Sequence, residues 1–332
     1  MDTSAIQQLF NRFNDLTVLV IGDVMIDAYY FGSVDRISPE APVPVVQVKR
    51  SENRLGGAAN VALNVQSLGA KAIICSVIGD DSKGDVFRNE LKSKGFSTEG
   101  IIDSPSRMTT VKTRVISSGH HLLRVDEEIT SPLSPTDERN LLGCIETAID
   151  NRKPDVIIFE DYNKGVLTPR IIDEVILMAS KRKIPTTVDP KKDNFFAYKN
   201  CTLFKPNLKE LREGLNVNFP KTDIEALRRA IENIESRLGN AITLVTLSEL
   251  GIVVKSKDVF ARVEAHQREI LDVSGAGDTV ISVASLALAC GLNEVDMAKL
   301  SNLAGGLVCE NVGVVPVDKE RLLKEAMNYL TK

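Results

Sequence analysis

The sequence predicts an α/β protein: a doubly wound, mostly parallel sheet with helices on both faces and a small second sheet. Three observations predict it. Apolar β-rich runs alternate with helix-period segments along most of the 332 residues. The β-rich runs VLVIG and DVIIFE are continuously apolar, as strands are when helices cover both sheet faces. Two stretches, 29–50 and 108–127, instead alternate apolar with polar side chains, the mark of a half-exposed sheet.

In chain order the expected core strands are Val18–Ile21, Lys71–Val77, Val156–Glu160, Thr186–Val188, Leu203–Lys205 and Ala241–Thr246. Helical periodicity marks Ala59–Leu68, Gly84–Lys94, Thr136–Asn151, Thr168–Arg182, Thr222–Leu238, Ala276–Ala289 and Val295–Asn311. The alternation of the two kinds gives the doubly wound plan. The segments 29–50 and 108–127 are either one small sheet paired in space or two unrelated edge hairpins. There is no repeat, low-complexity tract or linker, so 1–332 reads as a single domain.

Composition narrows the function. With 43% hydrophobic and 26% charged residues the chain has material for a large core. A net charge of −4 argues against a general nucleic-acid binder but leaves an anionic small molecule open. Five widely spaced cysteines without C-x-x-C read as buried free thiols of a reducing compartment. Three histidines are too few and too badly spaced for a histidine zinc site. Neither a signal peptide nor a membrane-spanning run stands out, so the expected location is the cytoplasm, with no membrane partner.

The strongest motif is Asp272-Val273-Ser274-Gly275-Ala276-Gly277-Asp278-Thr279, entering an apolar helical run. A Gly-Ala-Gly turn at a helix start offers the amides of Gly275, Ala276 and Gly277 to the charge on a transferring phosphoryl group. Asp278 in the same turn can take a proton from an attacking hydroxyl. Its plain alternative is a helix-terminus acid favoured by the dipole. The second motif is Leu55-Gly56-Gly57-Ala58-Ala59-Asn60-Val61-Ala62, where paired glycines admit a ligand and Asn60 offers a donor and an acceptor to a sugar hydroxyl. The alternative there is a tight turn with a solvated Asn60. No G-x-G-x-x-G follows the first strand and nothing fits G-x-x-x-x-G-K-[ST], which excludes a dinucleotide dehydrogenase and a Walker site.

Together these two motifs resemble the two signatures of the PfkB, or ribokinase-like, carbohydrate kinases, and the resemblance covers essentially the whole chain. It implies a ribokinase-like fold, ATP and Mg²⁺ as cofactors, and a homodimer formed through a β-sheet lid made of segments 29–50 and 108–127. Gly22-Asp23-Val24-Met25-Ile26-Asp27 looks like the family's opening, which makes Asp27 a sugar ligand beside Gly56, Gly57 and Asn60. Asn207-Leu208-Lys209-Glu210 matches N-x-x-E, implying that Asn207 and Glu210 organise Mg²⁺ through water. Thr246, Ser248 and Gly251 fall in the nucleotide-side loop, with Ser248 where the family has glycine, and Asn302 falls at the adenine pocket. Asp272 and Ser274 correspond to monovalent-cation (K⁺) ligands in some relatives.

A narrower resemblance, to D-glycero-D-manno-heptose 7-phosphate kinases, rests on Asp35-Arg36-Ile37-Ser38-Pro39-Glu40-Ala41-Pro42-Val43-Pro44-Val45-Val46, Asp161-Tyr162-Asn163-Lys164-Gly165 and Val188-Asp189-Pro190-Lys191. It implies phosphorylation of the anomeric hydroxyl to the 1,7-bisphosphate, for ADP-heptose and lipopolysaccharide core. A family kinase for another sugar or a nucleoside is the rival, and a catalytically dead nucleotide sensor a third reading. Relatives often carry a nucleotidyltransferase domain with H-x-G-H, whereas His120-His121 precedes Leu122-Leu123, so no such domain is expected. The substrate's phosphate needs fixed cations, and the candidates are Lys112, Arg114, Arg124, Lys164 and Lys191. Asp161 and Asp189, after apolar strands, are either ligand-facing or turn residues. Glu127, Glu128 and Glu249 read as surface charge, and Phe195-Phe196 as packing.

Overall fold

The computed structural model describes residues 1–331. It opens with α1 (Thr3–Phe13), β1 (Thr17–Gly22), the hairpin β2 (Val24–Ile37) and β3 (Pro44–Gly57), α2 (Ala58–Ser67), β4 (Lys71–Gly79) and α3 (Ser82–Ser93). β5 (Ile101–Ser104), the hairpin β6 (Val111–Ser117) and β7 (His120–Glu127), α4 (Pro135–Arg152), β8 (Val156–Glu160), α5 (Pro169–Arg182), β9 (Thr186–Asp189) and β10 (Leu203–Phe204) follow. The chain closes with α6 (Leu208–Leu215), α7 (Ile224–Leu238), β11 (Ile242–Thr246), β12 (Ile252–Lys255), β13 (Phe260–Val263), α8 (Ala276–Ala289), α9 (Glu294–Val308) and α10 (Lys319–Tyr329).

The main sheet has nine strands in the order β13-β12-β11-β10-β9-β8-β1-β4-β5, parallel except for β12, which pairs antiparallel with both β11 and β13. One apolar layer packs α1, α2, α3, α8, α9 and α10 on one face, centred on Val18, Val20 and Ile158. The other packs α4, α5, α6 and α7 against Leu19, Ile157 and Phe159. Alternate residues of β1 and β8 therefore serve opposite layers, which is why these strands read as unbroken apolar runs. Every predicted core strand and helix is present within a few residues. α1, α6, α10, β5, β12 and β13 were not predicted, and the expected strand at 203–205 stops at Phe204.

The two alternating stretches do pair in space. β2 runs parallel to β6, with Asp27 opposite Lys112, and the second sheet has the order β3-β2-β6-β7. Its strands start earlier and run later than the 29–50 estimate, from Val24 to Gly57. β7 is exposed on both faces, a departure from the half-buried expectation. No helix among the described residues is long and apolar enough to cross a membrane. Four of the five free cysteines are buried and Cys144 is half-buried.

Helix starts single out two places. Eight of the ten described helices begin on an Asp, Asn, Ser or Thr whose side chain accepts a first-turn N–H. α2 and α8 begin instead on Gly57 (φ 60°) and Gly275 (φ 79°), with no side-chain cap. Those two uncapped ends are the two glycine motifs, and they face each other.

Candidate active site

At α8 the main-chain N–H groups of Gly275, Gly277 and Asp278 donate to no protein acceptor among the described residues, whereas Ala276 N–H is committed to Val273 O at 3.3 Å. The amide cradle expected of Gly275, Ala276 and Gly277 is therefore corrected at Ala276 and extended to Asp278. Free first-turn amides at the positive end of a helix favour an anion. Gly275 is needed there: a Cβ would stand 3.0 Å from Asn60 Nδ2.

Asp278 is 5% exposed and lies in the wall of a cleft of about 710 Å³. Its Oδ2 accepts Asn60 Nδ2 at 2.7 Å and its Oδ1 accepts the Tyr162 hydroxyl at 2.9 Å. Burial raises its pKa above the ordinary carboxylate value, and the Asn60 hydrogen bond partly offsets that. The geometry is that of an oriented base with lone pairs to spare. Tyr162 had no assigned role; its signal was its place two residues past the end of β8, where α/β sheets bind ligands. The loop that carries it hangs on Asp23, which accepts N–H groups of Tyr162, Lys164 and Val166 and is pushed by burial to a pKa of about 6.

The cleft also gathers Asn207, Glu210, Thr246, Ser248, Gly251, Gly277 and Asn302. Asn207 and Glu210 form a reciprocal cap on α6: Oδ1 takes Glu210 N–H and Glu210 Oε2 takes Asn207 N–H, both at 2.8 Å. Glu210 Oε1 takes Lys191. With both carboxylate oxygens engaged, the pair suits a cation held through water rather than direct ligation. Ser248 sits at φ 55°, in the left-handed region, which is the physical reason a glycine suits that position. Asn302 Nδ2 donates to Glu264 O at 2.8 Å. Glu249 is exposed on Lys221, as expected of surface charge.

Toward the second sheet, Asp27 is buried and receives the Arg114 guanidinium. Gly56 passes so close that a Cβ would meet Asp27 Oδ2 at 2.3 Å. Lys112 and Lys164 both reach Glu128, at 3.0 and 2.7 Å. Glu128 is thus a bridging acceptor, correcting its reading as surface charge; Glu127 pairs with Lys83. Arg124, opposite Arg114 in the β6–β7 ladder, is 58% exposed and paired with Asp126, which Lys112 also reaches at 3.3 Å. Lys191, in the loop after β9, sits in the cleft between Asp189 and Glu210. Burial lowers its pKa, but the two carboxylates outweigh burial and raise it. Lys205 is fully buried, 2.8 Å from Asp189, and this ion pair faces the Cα of Gly277. Asp161 turns away to Tyr198 and Asn194, a structural role. Asp272 accepts Ser274 N–H, Ser274 Oγ–H and Gly313 N–H, so both its oxygens already tie the loop. Phe195 and Phe196 pack as expected.

The chain is similar to known proteins along nearly its whole length. The chain is 38% identical to the bifunctional protein HldE of Geobacter sulfurreducens over 97% of its own length. It is 39% identical to HldE of Syntrophotalea carbinolica over 99%. It spans 65% and 66% of the length of these relatives. Among solved structures it is similar to Escherichia coli phosphofructokinase-2 in complex with potassium, at TM-score 0.78 and 18% identity, covering 96% of this chain and 100% of that one. Arabidopsis thaliana ribokinase complexed with ribose and ATP matches at TM-score 0.71 and 16% identity, over 93% of this chain and 99% of the other. The pfkB family carbohydrate kinase profile fits residues 15–320, and with the uncapped helix ends and buried acid just described, this sugar kinase belongs to the pfkB family.

Proposed function

We propose that this kinase transfers the γ-phosphoryl group of ATP to the anomeric hydroxyl of D-glycero-D-manno-heptose 7-phosphate, giving the 1,7-bisphosphate for ADP-heptose and lipopolysaccharide core. The observation that carries the reading is the position of Asp278. A fixed, buried carboxylate stands at the same helix end as three unpaired amides, in the wall of the cleft that also gathers Asn207, Glu210 and Asn302. The relatives named HldE support the heptose substrate, and the paired ammonium groups of Lys112 and Lys164 support a substrate that carries a second anionic group.

In this mechanism Asp278 accepts the hydroxyl proton as the oxygen approaches phosphorus, worth roughly two to four orders of magnitude in rate. Asn60 and Tyr162 keep its carboxylate turned to the sugar. The amides of Gly275, Gly277 and Asp278 hold the developing negative charge. Asp27, Gly56, Gly57 and Asn60 hold sugar hydroxyls, while Lys112 and Lys164 exchange Glu128 for the 7-phosphate. Thr246, Ser248, Gly251 and Asn302 hold the nucleotide. Asn207 and Glu210 would hold Mg²⁺ through water, and the ion would supply neutralisation of phosphate charge. A K⁺ dependence through Asp272 and Ser274 belongs to the same proposal.

The second sheet would act as the lid of a single kinase domain and as the dimer surface, because Tyr30, Ile37, Val48, Leu122, Leu123 and Val125 leave apolar side chains exposed on it. A cytoplasmic location completes the reading. Phosphorus NMR of heptose 7-phosphate incubated with MgATP tests the substrate: a new anomeric phosphomonoester is expected. Turnover of fructose 6-phosphate or adenosine in a coupled assay, without turnover of the heptose, would overturn it.

A further inference from the structure

Glu160 is the anomaly of the sheet's carboxyl edge. It ends β8, is 0% exposed, and neither carboxyl oxygen has a hydrogen-bond partner. Such a group is costly to bury unless something supplies the missing contact. Strand alternation aims it: Ile158 and Glu160 share the face packed by α8, as does Asp189, directly opposite Glu160 in the β8–β9 ladder. α8 brings Asp278 to the same spot. One carboxylate oxygen from each of Glu160, Asp189 and Asp278 lies within 4.8 Å of the other two.

Oxygens gathered this closely can share one water that bonds to all three. A cation there is disfavoured by the Lys205 ammonium, 2.8 Å from Asp189. Hydrogens can be counted instead. A water among three carboxyl groups supplies two; the third contact needs one proton on an acid. Asp278 already accepts from Asn60 and Tyr162, and Asp189 faces Lys205, with Lys191 at 4.0 Å. Glu160 alone has no donor. On the β1 side, Asp23 is turned to the N–H groups of the Tyr162 loop, and Asp161 and Tyr198 bond to each other.

We propose that Glu160 is a neutral carboxylic acid that donates, through one bridging water, to Asp189 and Asp278, and so acts as a positioning residue for the proposed base. Burial, followed by the charges of Asp189 and Asp278, holds its proton affinity well above that of an ordinary glutamate, in keeping with this. The consequence is local: Asp278 works beside the Asp189–Lys205 ion pair without a further negative charge from Glu160. The role in the reaction rests on Asp278 being the base; the protonation state of Glu160 does not.

The test uses melting temperature against pH for wild type and Glu160→Gln. The folded chain keeps a proton that the unfolded chain releases above the ordinary glutamate value. Stability from Glu160 therefore falls as pH rises from about 4.5 toward its raised folded value. Glutamine lacks that dependence, so the variant should gain on wild type by about 2–4 °C between about pH 5 and pH 8. A gap constant with pH overturns the proposal. So does Mn²⁺ stabilising wild type but not the variant, which would make the cluster a metal site. The acid limb of kcat/KM should keep its pH in Glu160→Gln, and a downward shift would mean an ionised Glu160. Should the variant not fold, infrared spectroscopy of wild type at neutral pH decides: a protonated carboxyl band is expected, and its absence refutes the proposal. The thermal and infrared results stand whether or not heptose 7-phosphate is the substrate.

Discussion

The carboxyl edge of the main sheet and the inward face of the second sheet handle charge in opposite ways. At the main sheet, Asp23, Glu160, Asp189 and Asp278 are buried among main-chain amides, two lysines and one another, and burial raises the pKa of Asp23, Glu160 and Asp278. At the second sheet, Lys112, Arg114, Arg124 and Lys164 each meet a carboxylate, and burial of Glu128 is outweighed by Lys164 and Lys112, which lower its pKa. The first region is a fixed electrostatic environment whose groups cannot relax toward water. The second is a set of exchangeable ion pairs, the kind a charged substrate can enter at little cost because one anion replaces another. In the proposed function, chemistry belongs to the first region and recognition to the second.

The comparison breaks most directly at Asp278. Asp278→Asn should lower turnover at least about a hundredfold while ATP affinity and melting temperature stay near wild type. Turnover within a few-fold of wild type in a steady-state assay would move the chemistry elsewhere. On the recognition side, Lys112→Ala should raise KM for a phosphorylated sugar about tenfold with little change in kcat, the loss of one charge-assisted contact. An equal fall in kcat would give that face a share of the chemistry.

Tyr162→Phe sharpens the boundary between the two. Removing one donor from Asp278 should cost roughly fivefold in kcat/KM and move the acid limb of its pH profile upward, because the ionised form loses a hydrogen bond. In wild type that limb should already lie above the ordinary carboxylate range, activity being lost as pH falls through the raised pKa of Asp278. The smallest effect is expected at Arg124→Ala, about twofold or less in KM, since its guanidinium is 58% exposed on Asp126.

The same division explains what the sequence could tell. The parallel core was legible because burial on both faces leaves unbroken apolar runs such as Val156–Phe159. The glycine turns were legible because Gly57 and Gly275 need backbone conformations other residues resist. Ion-pair partners were not, because pairing depends on register across chain-distant strands: Asp27 meets Arg114 only through the β2–β6 ladder. Ala276 looked like a free amide until the turn closed on Val273 O. The carboxylate partners of Lys191 were hidden too, because sequence does not reveal which side of a strand-end loop its side chain takes. Short edge strands and terminal helices such as β13 and α10 carry too little periodicity to stand out.

The most direct test of the account is a crystal structure with ADP, a planar fluoroaluminate and the sugar phosphate bound together. The fluoroaluminate should lie within hydrogen-bond distance, about 2.7–3.2 Å, of the Gly275, Gly277 and Asp278 amides, with the anomeric oxygen on the Asp278 carboxylate. A nucleotide bound away from the start of α8, or a sugar whose anomeric oxygen faces another group, would contradict it.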